Sequence, residues 1–477
     1  MGTPTNSSSP SDGVDTLIFD LGDVLFEWSV DTTTPIPPKQ LHRMLGTATW
    51  FEYEKGNLTE EECHSAIARE FGFTSSDVDE TVHAAVASLR IRPNVFNLIK
   101  ELKSGHRVFA MTNMAAPHWE FIRGRFPECD VFDHVFTSAA ARERKPNLGF
   151  YRHVLHQTGA DPRRTVFVDD QLQNVVSARS LGIRGLVYNN YSDLERSLRN
   201  IFGNPIERAW AFLRVNAGRH LSYTDTGFTL HEQFTALLIL ETTGDESLVN
   251  YTAVDGPWSF FPGETELTTP LPPDLDTTAL AYTIVPHAVP DSTKHRVMDE
   301  ILANRTKDGI VPVYFSKTRQ RIDANVSVNV LHMFYTYGRG NDVRETLDWV
   351  CAALETRAYV DGTDYYVTAE TFLFFLSRLL HISPEVRERI GRLYKDRCQE
   401  RVGLPGDALA LAMRVICCRE QAIDATVDAQ KLHDMQEPDG GWKDGWFYKY
   451  RVDGLVAANR GFTTALAIKA LKLAYGS

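Results

Sequence analysis

Short apolar runs that end in polar residues alternate with amphipathic stretches over the first 200 residues of the chain. The clearest runs are Thr16–Phe19, Val108–Met111 and Thr165–Val168, each four residues long, which is the length of a buried strand. His134–Phe136 and Gly185–Tyr188 are weaker runs of the same kind. Because segments of helical periodicity lie between these runs, the pattern predicts an α/β domain with a doubly wound parallel sheet.

After about residue 205 the pattern changes to apolar stretches of helical length, and strand signals fade. Turns containing Asp-Gly separate the stretches, and the first three of them lie 53 residues apart. These turns begin at Asp255, Asp308, Asp361 and Asp439. The apolar helices that follow are expected to begin near Asp276, Asp323, Thr368 and Phe462. Repeats of helical-hairpin length predict an all-α domain, either a solenoid or a closed α/α-barrel.

Composition adds limits to this two-domain picture. The 477 residues carry a formal net charge of −12 and no basic block, so a nucleic-acid partner is not expected. No window approaches 18 uninterrupted apolar residues, so no membrane span is expected. The six cysteines have no zinc-site spacing and are expected to be buried free thiols. Residues 1–13 are rich in Ser, Thr and Pro and are expected to be a disordered lead on a cytoplasmic protein. The sequence leaves a homodimer open.

Polar residues follow three of the predicted strands in the first domain. Asp20 follows the first strand, Thr112 the second, and Asp169 with Asp170 the third, while Lys145 lies in a loop between the second and third. The carboxyl ends of parallel strands share one edge of the sheet, so these groups are expected to meet there. A carboxylate nucleophile, acids for a magnesium ion, and a hydroxyl and a lysine that hold phosphoryl oxygens are the groups that phosphoryl transfer needs.

These segments, FDLGDVL at Asp20, MTN at Thr112, RKP at Lys145 and VDD at Asp169, resemble the four motifs of the haloacid dehalogenase-like hydrolases. The resemblance covers residues 14–200 and implies a phosphatase with a small helical cap at about residues 26–92. It implies Asp20 as nucleophile, Thr112 and Lys145 as catalytic phosphate-holding groups, and Asn113 as a substrate-binding residue. It also implies a Mg²⁺ site, which is predicted at Asp20, Gly22, Asp169 and Asp170.

Gly22 is a departure from the family pattern, because many family phosphatases carry a general acid two residues after the nucleophile. Protonation of an alkoxide leaving group contributes roughly 10²- to 10⁴-fold in rate. A diphosphate substrate needs this acid less, because its leaving phosphate is already a weak base. Asp23 is adjacent to Gly22 but is expected to point in a different direction.

Two carboxylates, Asp274 and Asp276, precede Thr277, Thr278 and an apolar helix in the second domain. One interpretation is an ordinary N-cap cluster. The other is a proton donor, tuned by its neighbours, beside an apolar wall. The repeat favours the second interpretation, because the sequence Thr-Thr-Ala-Leu recurs at 463–466 with Phe462 before it, so the helical scaffold does not require Asp276.

The segment Gln436-Glu437-Pro438-Asp439-Gly440-Gly441-Trp442 fits the QxxxGxW signature of class II terpene cyclases. Together with Asp-Leu-Asp-Thr-Thr, residues 205–477 resemble the β domain of those enzymes. A DxDTT variant joined to a haloacid dehalogenase-like domain resembles the drimane-type sesquiterpene synthases. This resemblance implies that Asp276 protonates an alkene and that Asp274, Thr277 and Thr278 orient it.

Aromatic faces would stabilise a carbocation by cation–π attraction, and cations would hold the diphosphate. The aromatic candidates are Trp258, Phe260, Phe261, Phe372, Phe374, Phe375, Trp442, Trp446 and Phe447. The cationic candidates are Arg319, Arg321, Lys449, Arg451 and Arg460. Glu264 and Glu266 are further candidates, for magnesium bound to that diphosphate.

The sequence therefore predicts a bifunctional enzyme that acts on a prenyl diphosphate. The second domain would cyclise farnesyl diphosphate to a bicyclic drimane-type diphosphate, and the first domain would remove the phosphates to give an alcohol. Two alternatives stay open at this stage. One is a cyclase that releases the bicyclic diphosphate and carries a structural first domain. The other is a small-molecule phosphatase with a helical binding module.

Overall fold

The computed structural model describes residues 13–28, 34–263, 272–318, 320–443, 445–450 and 454–476. Two compact units divide the chain between Phe202 and Gly203. All six cysteines are buried and free. Among the described residues, no helix combines the length and apolarity that a membrane crossing requires.

The first unit is built on a five-stranded parallel sheet. The strands are β1 (Thr16–Phe19), β2 (Phe26–Glu27), β3 (Arg90–Ile91), β4 (Arg107–Thr112), β5 (His134–Thr137), β6 (Thr165–Asp169) and β7 (Arg184–Val187). The order in the main sheet is β5-β4-β1-β6-β7, and every neighbouring pair is parallel. The two short strands β2 and β3 pair separately. The central strand β1 is fully buried along its length, as expected of a strand covered on both faces. The predicted doubly wound sheet is confirmed.

The described residues of the first unit also form ten α-helices. They are α1 (Pro38–Leu45), α2 (Ala48–Glu54), α3 (Glu60–Phe71), α4 (Ser75–Ala87), α5 (Pro93–Lys103), α6 (Ala116–Arg125), α7 (Ser138–Ala141), α8 (Leu148–Thr158), α9 (Leu172–Ser180) and α10 (Tyr191–Phe202). Helices α1 to α4 lie between β2 and β3 and share an apolar core of their own. Thr59 and Thr74 start α3 and α4 with complete capping boxes, which satisfy the first free backbone N–H groups of each helix.

The second unit consists mainly of helices. They are α11 (Pro205–Val215), α12 (Phe234–Thr243), α13 (Leu275–Ile284), α14 (Asp291–Ala303), α15 (Ala324–Thr336), α16 (Arg344–Thr356), α17 (Ala369–Ile382), α18 (Pro384–Arg401), α19 (Ala408–Glu420), α20 (Thr426–Asp434) and α21 (Arg460–Tyr475). The starts of α13, α15, α17 and α21 fall within two residues of the positions predicted from the repeat.

Six of these helices form a closed inner ring. Helix α12 contacts α13, and contacts then continue through α15, α17, α19 and α21 back to α12. Almost every residue of α13, α17 and α19 is buried, because an inner helix is covered by neighbours on all sides. Helices α11, α16, α18 and α20 pack outside the ring against α21, α15, α17 and α19. Of the two architectures predicted from the repeat, a solenoid and a closed α/α-barrel, the structure has the closed barrel.

A four-stranded antiparallel sheet in the second unit was not predicted. Its strands are β8 (Ser222–Thr224), β9 (Thr229–Leu230), β10 (Trp446–Tyr450) and β11 (Leu455–Ala458), in the order β10-β11-β8-β9. The strands are two to five residues long, too short for a period-2 signal to stand out. Pairing of β11 with β8 joins segments more than 200 residues apart in sequence.

The QxxxGxW segment holds helix ends together. Gln436 is fully buried, and its Nε2 donates to the carbonyl oxygens of Pro205 and Gly440, each at 2.8 Å. The indole Nε1 of Trp442 donates to the carbonyl oxygen of Leu432 at 2.6 Å. The segment therefore ties the start of α11 to the end of α20.

Replacing Gln436 with Ala is expected to lower the free energy of unfolding by about 1–3 kcal/mol, because two buried carbonyl groups lose their donor. Urea unfolding followed by circular dichroism measures the change. Gln399→Ala, at an exposed position of α18, is the matched control and should leave the unfolding midpoint in place. Equal midpoints for the two variants would contradict the assigned role of Gln436.

Candidate active sites

The carboxyl edge of the parallel sheet gathers three acids and a lysine. Asp20 directly follows β1, while Asp169 ends β6 and precedes Asp170. One carboxylate oxygen from each of these three acids lies within 4.8 Å of the other two. The Nζ of Lys145 lies 2.8 Å from Asp20 Oδ2 and 2.7 Å from Asp169 Oδ2. The structure thus brings together the sequence-predicted acids and the lysine.

The charges at this edge fit a divalent cation. Burial raises the pKa of Asp20 to about 8, and the Asp169 carboxylate adds to the rise while Lys145 opposes it. Burial also raises the pKa of Asp170. Three acids face one ammonium group, so an added cation would lower the cost of ionising Asp20. Clustered carboxylate oxygens are the ligands that Mg²⁺ prefers, and Gly22 has only its backbone carbonyl to offer.

The structure assigns contacts to the remaining residues of the sequence motifs. Thr112 is buried at the end of β4. Asn113 is bonded to the backbone of Lys145 in both directions: its Nδ2 donates to the carbonyl at 3.0 Å, and its Oδ1 accepts from the N–H at 2.8 Å. Asn113 therefore fixes the loop that carries Lys145. The sequence analysis missed Asn174, whose Nδ2 donates to Asp169 Oδ1 at 2.9 Å.

Asp23 lies close to this cluster even though it is one residue beyond Gly22. Its backbone φ of +56° is in the left-handed region, which residues other than Gly rarely adopt. The indole Nε1 of Trp28 donates to Asp23 Oδ2 at 3.3 Å. The Asp23 carboxylate contributes to the raised pKa of Asp170, after burial and Asp169. Its charge therefore acts on the carboxylate cluster from the exposed side.

The second unit places the Asp-Leu-Asp pair at the start of an inner helix. Asp274 is the N-cap of α13, and its Oδ1 accepts from the N–H of Thr277 at 2.7 Å. Thr278 Oγ1 donates to the Asp274 carbonyl at 2.7 Å and accepts from the N–H of Trp258 at 2.9 Å. Asp274 is therefore the cap of the helix, whereas the hydrogen bonds of the Asp276 side chain are to Asn329 and Tyr366.

Asp276 is only 6% exposed and is held at both carboxyl oxygens. Asn329 Nδ2, from α15, donates to Oδ1 at 2.7 Å. The hydroxyl of Tyr366, just before α17, donates to Oδ2. The sequence analysis missed both partners, although a polar Asn329 inside the apolar run of α15 was a usable signal.

An ion pair between buried Arg378 and more exposed Glu241 orients Asn329. Arg378 Nη1 donates to Asn329 Oδ1 at 2.6 Å, so the amide must turn its Nδ2 toward Asp276. Arg378 is itself paired with Glu241 on α12 through Nη2 at 2.7 Å and Nε at 3.0 Å. A chain of contacts from Glu241 through Arg378 and Asn329 therefore positions the acid. The charged Arg378 within the apolar sequence of α17 is the signal that sequence reasoning did not use.

Burial raises the pKa of Asp276 to about 7, and the nearby Asp274 carboxylate adds to the rise. The hydrogen bonds from Tyr366 and Asn329 act in the opposite direction, because they stabilise the carboxylate. Burial likewise raises the pKa of Asp274 to about 6. Asp276 is therefore protonated over the acid range up to near neutrality, and its conjugate base has two donors ready to stabilise it.

Aromatic rings surround Tyr366 beside the acid. Its ring centroid lies 5.3 Å from Phe447, 5.6 Å from Phe375 and 6.3 Å from Phe234. The set continues from Phe234 to further rings of the same cluster. These are Phe260, Phe261, Tyr448 and Tyr450. This aromatic cluster includes four of the candidates predicted from the sequence, which are Phe260, Phe261, Phe375 and Phe447. Its other members, Phe234, Tyr366, Tyr448 and Tyr450, were not predicted.

Other aromatic candidates have packing contacts. Trp258 is fully buried and donates its Nε1 to the Val254 carbonyl at 3.2 Å. Trp442 is fully buried in the QxxxGxW segment. Phe372 stacks on Tyr359 at 4.6 Å, Trp446 has an edge contact with Tyr223 at 6.5 Å, and Phe374 packs beside Phe375.

The cationic candidates have different surroundings. Lys449 Nζ donates to the Thr363 carbonyl at 2.9 Å. Arg460 forms an ion pair with Asp439 at 3.0 Å. Arg321 is exposed, with its Nη1 3.4 Å from the hydroxyl of Tyr365. The other charged candidates lie outside the described residues. These are Arg319, Arg451, Glu264 and Glu266.

Two regions of the chain match known families. Residues 14–182 match the haloacid dehalogenase-like hydrolases. Residues 206–337 match the sesquiterpene cyclase astC-like C-terminal domain. The chain therefore joins a haloacid dehalogenase-like hydrolase domain to a sesquiterpene cyclase domain.

The chain is 43% identical over 462 residues to drimenol cyclase drtB of Aspergillus calidoustus, a match that covers 95% of this chain and 87% of that protein. It belongs to the family of that cyclase, and both resemblances drawn from the sequence are confirmed. It is also 36% identical over 170 residues to sesquiterpene phosphatase astK of Aspergillus oryzae, covering 35% of this chain and 87% of that protein. Among solved structures, a haloacid dehalogenase family enzyme from Bacteroides thetaiotaomicron, in complex with magnesium and inorganic phosphate, is 22% identical. That match covers 38% of this chain and 99% of that chain, with a TM-score of 0.32.

Proposed function

We propose that this protein is a bifunctional sesquiterpene synthase. Residues 205–477 would cyclise farnesyl diphosphate to a bicyclic drimane-type diphosphate, and residues 14–200, with the cap at 26–92, would dephosphorylate it to an alcohol of the drimenol class. The observation that carries the proposal is Asp276, a buried carboxyl group held by Asn329 and Tyr366 within a ring of inner helices. The identity to a drimenol cyclase over 95% of the chain supports the same reaction.

Cyclisation begins when Asp276 gives its proton to the terminal alkene of the substrate. Its raised pKa keeps the proton in place near neutral pH, and the hydrogen bonds from Asn329 and Tyr366 stabilise the carboxylate that remains. The rings of Phe375, Phe447 and Phe234 present apolar faces that stabilise a carbocation by about 0.5–2 kcal/mol each. Such walls also exclude water, which would otherwise trap the cation. Loss of a proton from the bicyclic cation then leaves an alkene with the diphosphate intact.

Dephosphorylation follows at the sheet edge. The Asp20 carboxylate attacks the terminal phosphorus, a phosphoaspartyl bond forms, and the bond to the leaving phosphate oxygen breaks; water then releases inorganic phosphate and leaves the bicyclic monophosphate. A second round at the remaining phosphorus breaks the bond to the drimane oxygen, which takes a proton from water, and releases the alcohol. Lys145 lies within bonding distance of Asp20 and is placed to hold phosphoryl oxygens. Asp20, Asp169, Asp170 and the carbonyl of Gly22 would hold Mg²⁺, which when bound offsets repulsion between carboxylate and phosphate.

Incubation of the full chain with farnesyl diphosphate and Mg²⁺ tests the proposal, with products identified by mass spectrometry. A bicyclic alcohol with released phosphate is the expected result. A bicyclic diphosphate that persists would instead establish a cyclase with an inactive first domain. The observation in favour of that outcome is Gly22, which occupies the usual position of the general acid. Failure to convert prenyl diphosphates would overturn the proposal.

Replacing Tyr366 with Phe is expected to shift the pH dependence of cyclisation. The rate should fall above the pKa of Asp276, near pH 7, because only the protonated acid can start the reaction. Loss of the Tyr366 donor destabilises the carboxylate and so raises that pKa, by about one unit or more for a hydrogen bond to a charged group. The falling limb should therefore move to higher pH, while the rate at low pH drops by about tenfold or more.

Tyr394→Phe is the matched control, because its buried hydroxyl bonds the Leu373 carbonyl on the outer side of α17. Its rate–pH profile should match that of the unmodified protein. An unchanged profile in Tyr366→Phe would show that this hydroxyl does not tune the acid.

A further inference from the structure

A second cluster of ionisable side chains lies among helices α3, α4 and α6, apart from the acids of the sheet edge. Glu60 and His64 are on α3, Asp79 and His83 on α4, and His118 on α6. One ligand atom each from Glu60, Asp79 and His83 lies within 4.8 Å of the other two. Three imidazoles thus converge on two carboxylates, and the phosphatase mechanism uses none of them.

The distances around Glu60 match shared coordination better than hydrogen bonding. His118 Nε2 is 3.5 Å from Glu60 Oε1, and His83 Nε2 is 3.7 Å from the same oxygen. Hydrogen bonds between such atoms are about 2.7–3.2 Å long. Two ligands at about 2.1 Å from one tetrahedral zinc ion are separated by about 3.4 Å. The two imidazole nitrogens therefore lie close to where ligands of one ion would be.

His118 supplies an independent sign of a ligand. Its side chain is 9% exposed, and within the part of the chain that the structure describes its Nε2 has no hydrogen-bond partner, although it lies 3.5 Å from Glu60 Oε1. A buried polar atom without a partner costs about 1–3 kcal/mol.

Neighbouring polar groups contact the side chains of His83, Glu60 and Asp79, as the outer-shell partners of metal ligands do. His83 Nδ1 lies 3.0 Å from the Asp79 carbonyl oxygen. That contact places the proton on Nδ1 and leaves the lone pair of Nε2 toward Glu60. The hydroxyl of Tyr53 donates to Glu60 Oε1 at 3.1 Å, and His64 Nδ1 lies 3.2 Å from Asp79 Oδ1. Asp79 and His83 are about half exposed, which leaves them free to close around an ion.

We propose that Glu60, Asp79, His83 and His118 bind one divalent transition metal ion of the zinc type. Mixed imidazole and carboxylate ligands select such ions over Mg²⁺ and Ca²⁺, which prefer oxygen alone. The ion would tie α3 and α4 to α6 and so fix the orientation of the helices inserted between β2 and β3. It shares no ligand with the magnesium proposed at Asp20.

Zinc titration of the full chain tests the site. Protein stripped with a chelator is returned to excess MgCl₂, which occupies the sheet-edge acids, and ZnCl₂ binding is measured by calorimetry. One Zn²⁺ per chain is expected. Co²⁺ in place of Zn²⁺ should give a visible absorption band typical of tetrahedral nitrogen and oxygen ligands.

Glu60→Gln and His83→Ala should each weaken zinc binding by roughly 100-fold or more, since even outer-shell partners of metal ligands contribute about 10- to 100-fold. His42→Ala, an exposed histidine on α1, is the matched control and should bind as the unmodified chain does. Zinc should raise the melting temperature of the control and of neither variant. Absence of zinc binding by the unmodified chain, or binding by Glu60→Gln and His83→Ala that is as tight as that of the control, would overturn the proposal.

Discussion

Asp276→Asn is expected to lower the rate of ring closure by roughly 10⁴-fold or more, since the reaction loses its proton donor. Asparagine has the same shape and can still bond Asn329 and Tyr366, so the barrel should stay folded. Farnesyl diphosphate should then lose phosphate without cyclising and yield the open-chain alcohol. Gas chromatography with mass detection measures the loss of the bicyclic product, and released phosphate is measured in the same incubation.

Asp407→Asn provides the control for this experiment. Asp407 caps the inner helix α19 through the N–H of Ala410 at 2.9 Å, and Asn is an equally good cap. Cyclisation should proceed at its normal rate in this variant. A bicyclic product from Asp276→Asn at an undiminished rate would mean that another group protonates the alkene.

Asp20→Asn is expected to reduce phosphate release by at least about 10³-fold, because an amide cannot serve as the attacking carboxylate. Cyclisation should continue, since the acid that starts it lies in the other unit. The bicyclic diphosphate should accumulate and be seen by liquid chromatography with mass detection. Lys145 keeps its ion pair with Asp169 at 2.7 Å, so the loss of activity should not be accompanied by unfolding.

Asp15→Asn is the control at the opposite end of the same strand. Asp15 precedes β1 and pairs with Arg164 at 3.0 Å on the exposed side. This variant should release phosphate normally. Formation of the alcohol by Asp20→Asn at the normal rate would mean that hydrolysis takes place at a different site, and the phosphatase assignment would fail.

The two reactions complement each other chemically. Cyclisation started by a proton leaves the diphosphate on the product, whereas loss of diphosphate would start a different kind of cation chemistry. A domain that removes phosphate is therefore a useful partner for the barrel. Gly22 at the usual general-acid position suits the first of the two cleavages, because the phosphate leaving from a diphosphate needs little protonation.

Much of the sheet-edge site was predictable because its residues stand at strand ends. Asp20, Thr112 and Asp169 each follow an apolar run, and parallel strands bring their carboxyl ends to one edge. Local sequence thus implied a three-dimensional arrangement. Asn174 escaped prediction because it lies inside α9, where its contact with Asp169 depends on how that helix packs.

The barrel site was only partly predictable. Asp274 and Asp276 stood out by their spacing, but that spacing is equally compatible with a helix N-cap and with a proton donor. Asn329 and Tyr366 lie 53 and 90 residues from Asp276 along the chain, and no local pattern joins positions so far apart. Their pairing results from the closure of the inner ring, which brings α13, α15 and the start of α17 together.

The sequence by itself determined the two fold classes, the motif residues at the sheet edge and the acid pair at the start of α13, because each depends on local periodicity or on short spacings. The tertiary structure alone decided which acid is the cap, which groups hold Asp276 and which aromatic rings stand near it. It also decided that Arg378 orients Asn329 and that His83 and His118 meet at Glu60. These features depend on contacts between distant segments, and burial that sets a pKa exists only once the helices have packed.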